Sequence, residues 1–156
     1  TVPVHSPQEA LERLDWYACR WGIEVWHKVL KSGCRIEARQ LESAERLKRL
    51  LTVFSVVAWR ILYATMLARA LPQGSCNILF DEDEWQALYC AVNTTAIVPK
   101  QPPTLQEAVR MVARLGGFLG RKQDGQPGVT VLWKGFRRLS DLTLMYKILR
   151  NPSAVQ

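Results

Sequence analysis

Residues 41–71, LESAERLKRLLTVFSVVAWRILYATMLARAL, carry the pattern that decides the fold. This stretch contains no proline or glycine, whereas Pro72 and Gly74 follow it directly. Because both residue types end helices, the stretch predicts one long helix. Its first part, 42–49, is charged, and its second part, 50–70, is mostly apolar. We therefore expect the second part to be buried on most sides, in a core or in a subunit interface.

The apolar part is also long enough to cross a bilayer, which needs about 20 residues. However, Arg60 lies near its centre and Arg69 near its end. A central arginine costs ~2.5–3.5 kcal/mol on membrane-insertion scales. We therefore expect no membrane span.

Helix-start motifs flank this stretch on both sides. Ser6-Pro7-Gln8-Glu9 combines an N-cap, a proline and a capping-box glutamate, and predicts a helix to about Lys31. The acidic run 81–84 reads as a further capping box rather than a metal cluster, because carboxylates suit the positive end of the helix dipole. Thr104 and Glu107 form the next capping box.

The remaining segments add one more helix and one candidate strand. Gly116-Gly117 indicates a helix end or close packing, and 133–149 is typical of a last helix. Val129–Trp133 is the single short strand candidate. Since nothing resembles a βαβ series, the chain is predicted to be all-α.

Charge and cysteine usage narrow the classes of partner. The 156 residues carry a formal net charge of +7, and residues 101–156 hold nine Lys+Arg against three Asp+Glu. Such a balance favours a polyanionic partner. The four cysteines form no C-x-x-C pair, which indicates buried free thiols in a reducing cytosol rather than a zinc site. The amino terminus shows no signal-peptide pattern, so a cytoplasmic protein is expected.

One face of the first predicted helix carries four polar side chains in a row: Tyr17, Arg20, Glu24 and Lys31. At roughly 100° per residue they fall within a stripe about 60° wide. The stripe is about 21 Å long, which suits contacts along a polymer backbone. His27 and Lys28 flank it, while the opposite face, which includes Cys19, Ile23 and Val29, is expected to pack. The alternative is an ordinary solvated face with an Arg20–Glu24 pair.

The spacing Tyr17-x2-Arg20-x3-Glu24-x6-Lys31 resembles the Y-R-E-K signature of bacterial DDE transposases of the Tn-five type, in the insertion-sequence four group. Five segments are similar to family segments: 17–33 (YACRWGIEVWHKVLKSG), 41–47 (LESAERL), 55–62 (SVVAWRIL), 113–118 (ARLGGF) and 132–136 (LWKGF). The resemblance therefore covers nearly the whole chain.

This resemblance implies the carboxy-terminal helices of an RNase H-like catalytic core in residues 1–50 and a helical dimerisation domain in residues 51–156. It implies cut-and-paste DNA transposition that uses Mg²⁺ or Mn²⁺. By this comparison Glu24 matches the third acid of the DDE triad, which is both catalytic and a metal ligand. Tyr17, Arg20 and Lys31 match DNA-contacting residues, and His27 and Lys28 are further candidates for backbone contact.

Nothing in the chain matches the segments that carry the two triad aspartates. We therefore expect a carboxy-terminal fragment that is catalytically incomplete and binds no metal alone. Its expected partners are transposon-end DNA and either a second copy or full-length transposase, in the nucleoid-associated cytoplasm of a bacterium. Two alternatives stay open: a stand-alone helical dimerising protein that binds or inhibits full-length transposase, and an unrelated basic DNA-binding helical domain.

Overall fold

The computed structural model describes residues 3–150, and within them five α-helices follow one another. They are α1 Pro7–Lys28, α2 Ala44–Ala70, α3 Glu82–Asn93, α4 Leu105–Leu115 and α5 Val129–Arg150. A π-helical turn, Val29–Gly33, continues α1, and short 3-10 turns cover Ile36–Ala38 and Cys76–Ile78. The described residues contain no β-strand, so the prediction of an all-α fold is confirmed.

The helices begin where their capping residues satisfy the free backbone N–H groups. The Ser6 hydroxyl accepts a hydrogen bond from the Glu9 N–H, and the Ser43 hydroxyl accepts one from the Arg46 N–H. The second bond makes α2 begin at Ala44, three residues after the start at about residue 41 that the sequence pattern predicted, so only Glu42 of the charged part lies outside the helix. The predicted capping boxes at the starts of α3 and α4 are both present.

The strand predicted at Val129–Trp133 is wrong, because these residues form the first turn of α5. Leu132 and Phe136 are buried, and Trp133 packs against the core. This spacing of three to four residues places them on one helical face. Burial of that face outweighs the weak strand preference of the valines.

The core lies between α3, α4 and α5, and α2 and the π turn close it. Its largest fully buried side chains include Ile61, Leu88, Leu105, Leu132 and Leu139. Helices α4 and α5 cross at two glycines. A Cβ atom on Gly135 would clash with the Val112 carbonyl, and one on Gly116 would clash with the Val131 carbonyl. The glycines therefore let the two backbones approach, as the close-packing interpretation of Gly116 required.

The prediction that a core buries α2 on most sides is wrong, whereas its burial in a subunit interface stays a prediction. Only Ala58, Ile61 and Ala64 are buried, and this face packs on α4 and on the π turn. By length and composition α2 is also the one candidate membrane span in residues 3–150, with a mean hydropathy of 1.8. Its central Arg60 is bound to both carboxylate oxygens of Glu84 at 2.8 Å, so the charge is paired within the fold.

The face of α1 that was expected to pack is mostly exposed. None of residues 7–28 is buried, and Ile23 is 58% exposed. The face meets the core only at its end, where the Trp26 indole N–H donates to the Ser55 carbonyl at 3.4 Å. Val29 and Leu30, in the π turn, are buried as predicted. Most of α1 therefore projects from the packed body.

The four cysteines are free, but only two of them match the expectation of burial. Cys34 and Cys76 are buried, whereas Cys19 is exposed and Cys90 is half-buried. Burial raises the pKa of the Cys76 thiol to about 11, because the thiolate would lose its hydration.

Candidate functional site

The end of α1 and the π turn after it form a shallow cavity of about 630 Å³. Its lining consists of Glu24, His27, Lys28, Lys31 and Ser32. Four of these are among the six candidate residues chosen from the sequence. We call the cavity together with Tyr17 and Arg20 the α1 site.

Arg20 and Tyr17 lie next to the cavity, where Arg20 contacts Glu24 and Tyr17 contacts Arg20. An Arg20 side-chain nitrogen donates to the Glu24 Oε1 at 2.8 Å, and both side chains are about half exposed. The Arg20 guanidinium lies 5.2 Å from the centre of the Tyr17 ring. The i,i+4 pair expected for an ordinary solvated face is therefore present, and it sits at the edge of the cavity.

Lys31 does not lie in the α-helix that the sequence predicted. It belongs to the π turn, in which the Cys34 N–H donates to the Val29 carbonyl at 3.0 Å. A π turn holds one more residue than an α turn, so Lys31 is displaced from its position in an ideal α-helical stripe. The structure nevertheless brings Lys31 to the same cavity as Glu24.

Glu37 is a neighbour that sequence reasoning missed. Its Oε1 lies 2.9 Å from the Lys31 Nζ, and both side chains are exposed. Glu37 reaches this position because the backbone turns at Arg35, which has a positive φ of 52°. No spacing rule links residues 31 and 37, so no pattern in the sequence indicates this ion pair.

The electrostatics of the α1 site suit an anionic ligand. The site has three exposed cations, Arg20, Lys28 and Lys31, against the carboxylates of Glu24 and Glu37, which pair with Arg20 and Lys31. Arginine and lysine side chains of this kind bind phosphate oxygens. A surface with exposed cations along one helix can therefore follow a nucleic-acid backbone.

The same residues do not form a metal site by themselves. Glu24 supplies one carboxylate, and its Oε1 is already bound to Arg20. Across residues 3–150 there is no group of three or more His, Cys, Asp or Glu side chains placed to hold a metal ion. A two-metal centre for phosphoryl transfer requires several carboxylates, so further ligands are needed.

A second notable surface is an apolar row on the outer face of α2, which we call the α2 stripe: Val56, Trp59, Tyr63 and Met66. These side chains are 36–65% exposed. The Trp59 and Tyr63 rings stack with their centres 4.8 Å apart. The steps of three, four and three residues follow the a/d spacing of helices that pair. The sequence contains this spacing, but most other residues of 50–70 are apolar too, so the pattern did not single out these four positions.

A family of known proteins matches this part of the chain. The model for the Transposase Tn5 dimerisation domain matches residues 56–151, which is more than half of the sequence. The chain belongs to this family. The Tn5 dimerisation-domain match begins at Val56, the first residue of the α2 stripe, and includes α3, α4 and α5. The α1 site precedes the matched residues.

Membership of this family supports the predicted dimerisation, in the general form of oligomerisation with a transposase. A Tn5-type dimerisation domain indicates transposase-related oligomerisation, as the resemblance implied. The match does not extend to the α1 site.

Proposed function

We propose that this chain acts as the carboxy-terminal part of a bacterial cut-and-paste DNA transposase of the Tn5 type, from the insertion-sequence four group. Residues 51–156 pair with a second transposase chain, and residues 1–50 present the α1 site to transposon-end DNA. The observation that carries the proposal is the cluster of Glu24, Lys28 and Lys31 at one cavity, immediately before a Tn5-family dimerisation domain.

In this proposal the cations of the α1 site hold the DNA backbone. Arg20, Lys28 and Lys31 are exposed and face the same region as Glu24. Their spacing along α1 and the π turn lets them contact successive phosphates, which positions the DNA without reading its sequence. Tyr17 stacks beside Arg20 and adds a hydroxyl donor and an aromatic face.

Glu24 has a different role in the proposal, as the third acid of the DDE triad. It contributes one ligand to Mg²⁺ or Mn²⁺, and two aspartates of other segments complete the site in the full transposase. The chain alone is then expected to be catalytically inactive. Its site of action is the nucleoid-associated cytoplasm of the bacterium.

Glu24→Gln tests this role in a full-length transposase that contains both aspartates. The amide keeps the shape of the side chain but loses the anionic ligand, so DNA cleavage should be lost while end binding persists. Cleavage is measured on end-containing duplex DNA with Mg²⁺ and again with Mn²⁺.

Glu37→Gln is the matched control, because Glu37 is also an exposed glutamate paired with a cation of the α1 site. This variant should keep its cleavage activity. Full cleavage by Glu24→Gln, or equal loss in both variants, would overturn the assignment of Glu24 as metal ligand.

A second candidate function is that of a stand-alone partner that pairs with full-length transposase and inhibits it. It is favoured by the core, which closes around α3, α4 and α5 within this chain. Co-expression with an active transposase distinguishes the two functions. A stand-alone inhibitor lowers transposition in proportion to its expression, and this effect depends on the α2 stripe.

A further inference from the structure

A second basic surface is formed by residues of the carboxy-terminal half, far along the sequence from the α1 site. It is a groove of about 870 Å³ between α4, the end of α3 and the loop 116–128. Four cationic side chains line it: Arg110, Arg114, Arg121 and Lys122. We call it the α4 groove. It holds four of the nine Lys and Arg residues of 101–156, whose excess of positive charge the resemblance left without a role.

The fold places these cations together from two elements. Arg110 and Arg114 are one helical turn apart on the exposed face of α4, and the other face is buried through residues such as Leu105 and Val112. After α4 the chain turns at Gly117 and Gly120, whose φ values are +99° and +65°. These left-handed conformations suit glycine, and they return the loop to the groove.

The loop cations are then held by a local contact. The Arg121 backbone N–H donates to the Asp124 Oδ2 at 2.8 Å, which fixes the turn without using the guanidinium. The side chains of Arg121 and Lys122 are both exposed. The groove therefore has cations on both its helix wall and its loop wall.

The positive charge of the α4 groove is only partly offset by its neighbours, since four cations stand against the carboxylates of Glu107 in the lining and Asp124 in the loop. Its one acidic lining residue, Glu107, is engaged in the helix cap, where the Thr104 N–H and hydroxyl donate to Oε2 at 2.9 Å. Among residues 3–150, no carboxylate lies within 4 Å of the charged groups of these four cations. By contrast, Lys147 and Arg150 on α5 both lie beside Asp83.

We propose that the α4 groove binds the phosphodiester backbone of double-stranded DNA, as a contact separate from the α1 site. Unpaired cations on two walls suit a ligand with repeated negative charges, and duplex DNA carries one charge per about 1.7 Å. Arginine presents a planar fork that matches phosphate oxygens. The choice of DNA over an acidic protein rests on the proposed function, in which this chain works beside transposon-end DNA.

The test is the salt dependence of binding to a short duplex of arbitrary sequence, measured by fluorescence anisotropy. Arg110→Ala/Arg114→Ala removes two cations from the groove. The plot of the logarithm of the association constant against the logarithm of salt concentration should then become less steep by about 1.8. Lys134→Ala/Arg137→Ala is the matched control, since it removes the same charge from exposed positions on α5 outside the groove. The control should change the slope by less than about half a unit.

Arg121→Ala/Lys122→Ala gives a second groove variant that leaves every helix unchanged. It should reproduce the loss of slope, and circular dichroism should show native melting for all variants because the replaced side chains are exposed. Equal losses in the groove variants and the control would indicate diffuse charge and would overturn the proposal. No loss in either groove variant would also overturn it.

Competitors identify the chemistry of the ligand. Inorganic phosphate and polyglutamate should each fail to displace the duplex at matched ionic strength. Displacement by inorganic phosphate would indicate a small-anion site, and displacement by polyglutamate would indicate a surface for acidic proteins; either result would contradict the DNA assignment.

The Arg20→Ala/Lys31→Ala variant separates this inference from the proposed function. If it alone weakens binding, the α1 site contacts DNA and the α4 groove does not. If only the groove variants weaken binding, the groove assignment stands and DNA contact at the α1 site fails.

Discussion

At the scale of the residue, the two glycines at the α4–α5 crossing allow the backbones of these helices to come into contact. Any side chain at Gly135 would meet the backbone of Val112, which cannot move without displacing α4. The sequence indicated close packing at Gly116, but not its partner on α5. Only the three-dimensional path of α5 shows that Gly135 faces α4.

Gly135→Ala is therefore expected to destabilise the protein by about 2 kcal/mol or more, because overpacking outweighs the higher helix propensity of alanine. Urea denaturation followed by circular dichroism measures this change.

Gly22→Ala provides the matched control on another helix. No atom outside its own helix surroundings lies within 4 Å of the new Cβ, so the substitution should be neutral or stabilise by about 0.5–1 kcal/mol. Equal stability of Gly135→Ala and the wild type would contradict the close approach of α4 and α5.

The sequence indicated which residues form the α1 site, because helix periodicity places them on one face of α1. Glu24, His27 and Lys28 lie within little more than one turn of α1, so their shared cavity follows from local geometry. Glu37 was not recognisable, because its contact with Lys31 depends on the turn at Arg35. A contact made through an irregular loop has no periodic signal.

At the scale of the element, capping residues predicted helix starts better than side-chain preferences predicted helix or strand. Ser6, Asp81 and Thr104 all cap helices, because a cap depends only on residues within one turn. The failure at Val129–Trp133 has the opposite cause. Whether valines there form a strand or a helix depends on the surface that receives them, and that surface is α4 and the π turn.

The exposed face of α2 is the element-scale feature that most needs a partner. Trp59→Glu places a charge in the centre of the α2 stripe, where Trp59 is 54% exposed in the single chain. If a second copy covers the stripe, the substitution should convert a dimer to a monomer in sedimentation-velocity experiments.

Ile97→Glu is the control, since Ile97 is 80% exposed and lies outside the helices. It should leave the dimer intact. A dimer that tolerates Trp59→Glu would place the interface elsewhere on residues 56–151.

At the scale of the whole molecule, the described chain has a packed body and a projecting helix. Helices α3, α4 and α5 share the core, whereas no residue of α1 is buried. Helix stability in proteins comes mainly from tertiary packing, so an unpacked helix is expected to open more readily.

Hydrogen exchange should therefore be faster for the amides of residues 10–24 than for those of α4, by about 100-fold or more. Mass spectrometry of peptic peptides measures this difference. Equal protection would mean that α1 is covered in solution by a second copy. Comparing Trp59→Glu then shows whether that cover depends on the dimer.

The sequence alone determined the helical class, the caps at Ser6, Asp81 and Thr104 and the row of residues that became the α1 site. These features depend on neighbours within one or two helical turns, which periodicity and capping rules describe. Tertiary structure alone decided that α2 buries one narrow face, that α1 projects, that Val129–Trp133 is helical and that cations of α4 and of the loop after it line one groove. Those features depend on which surfaces meet, and residues far apart in sequence determine that together.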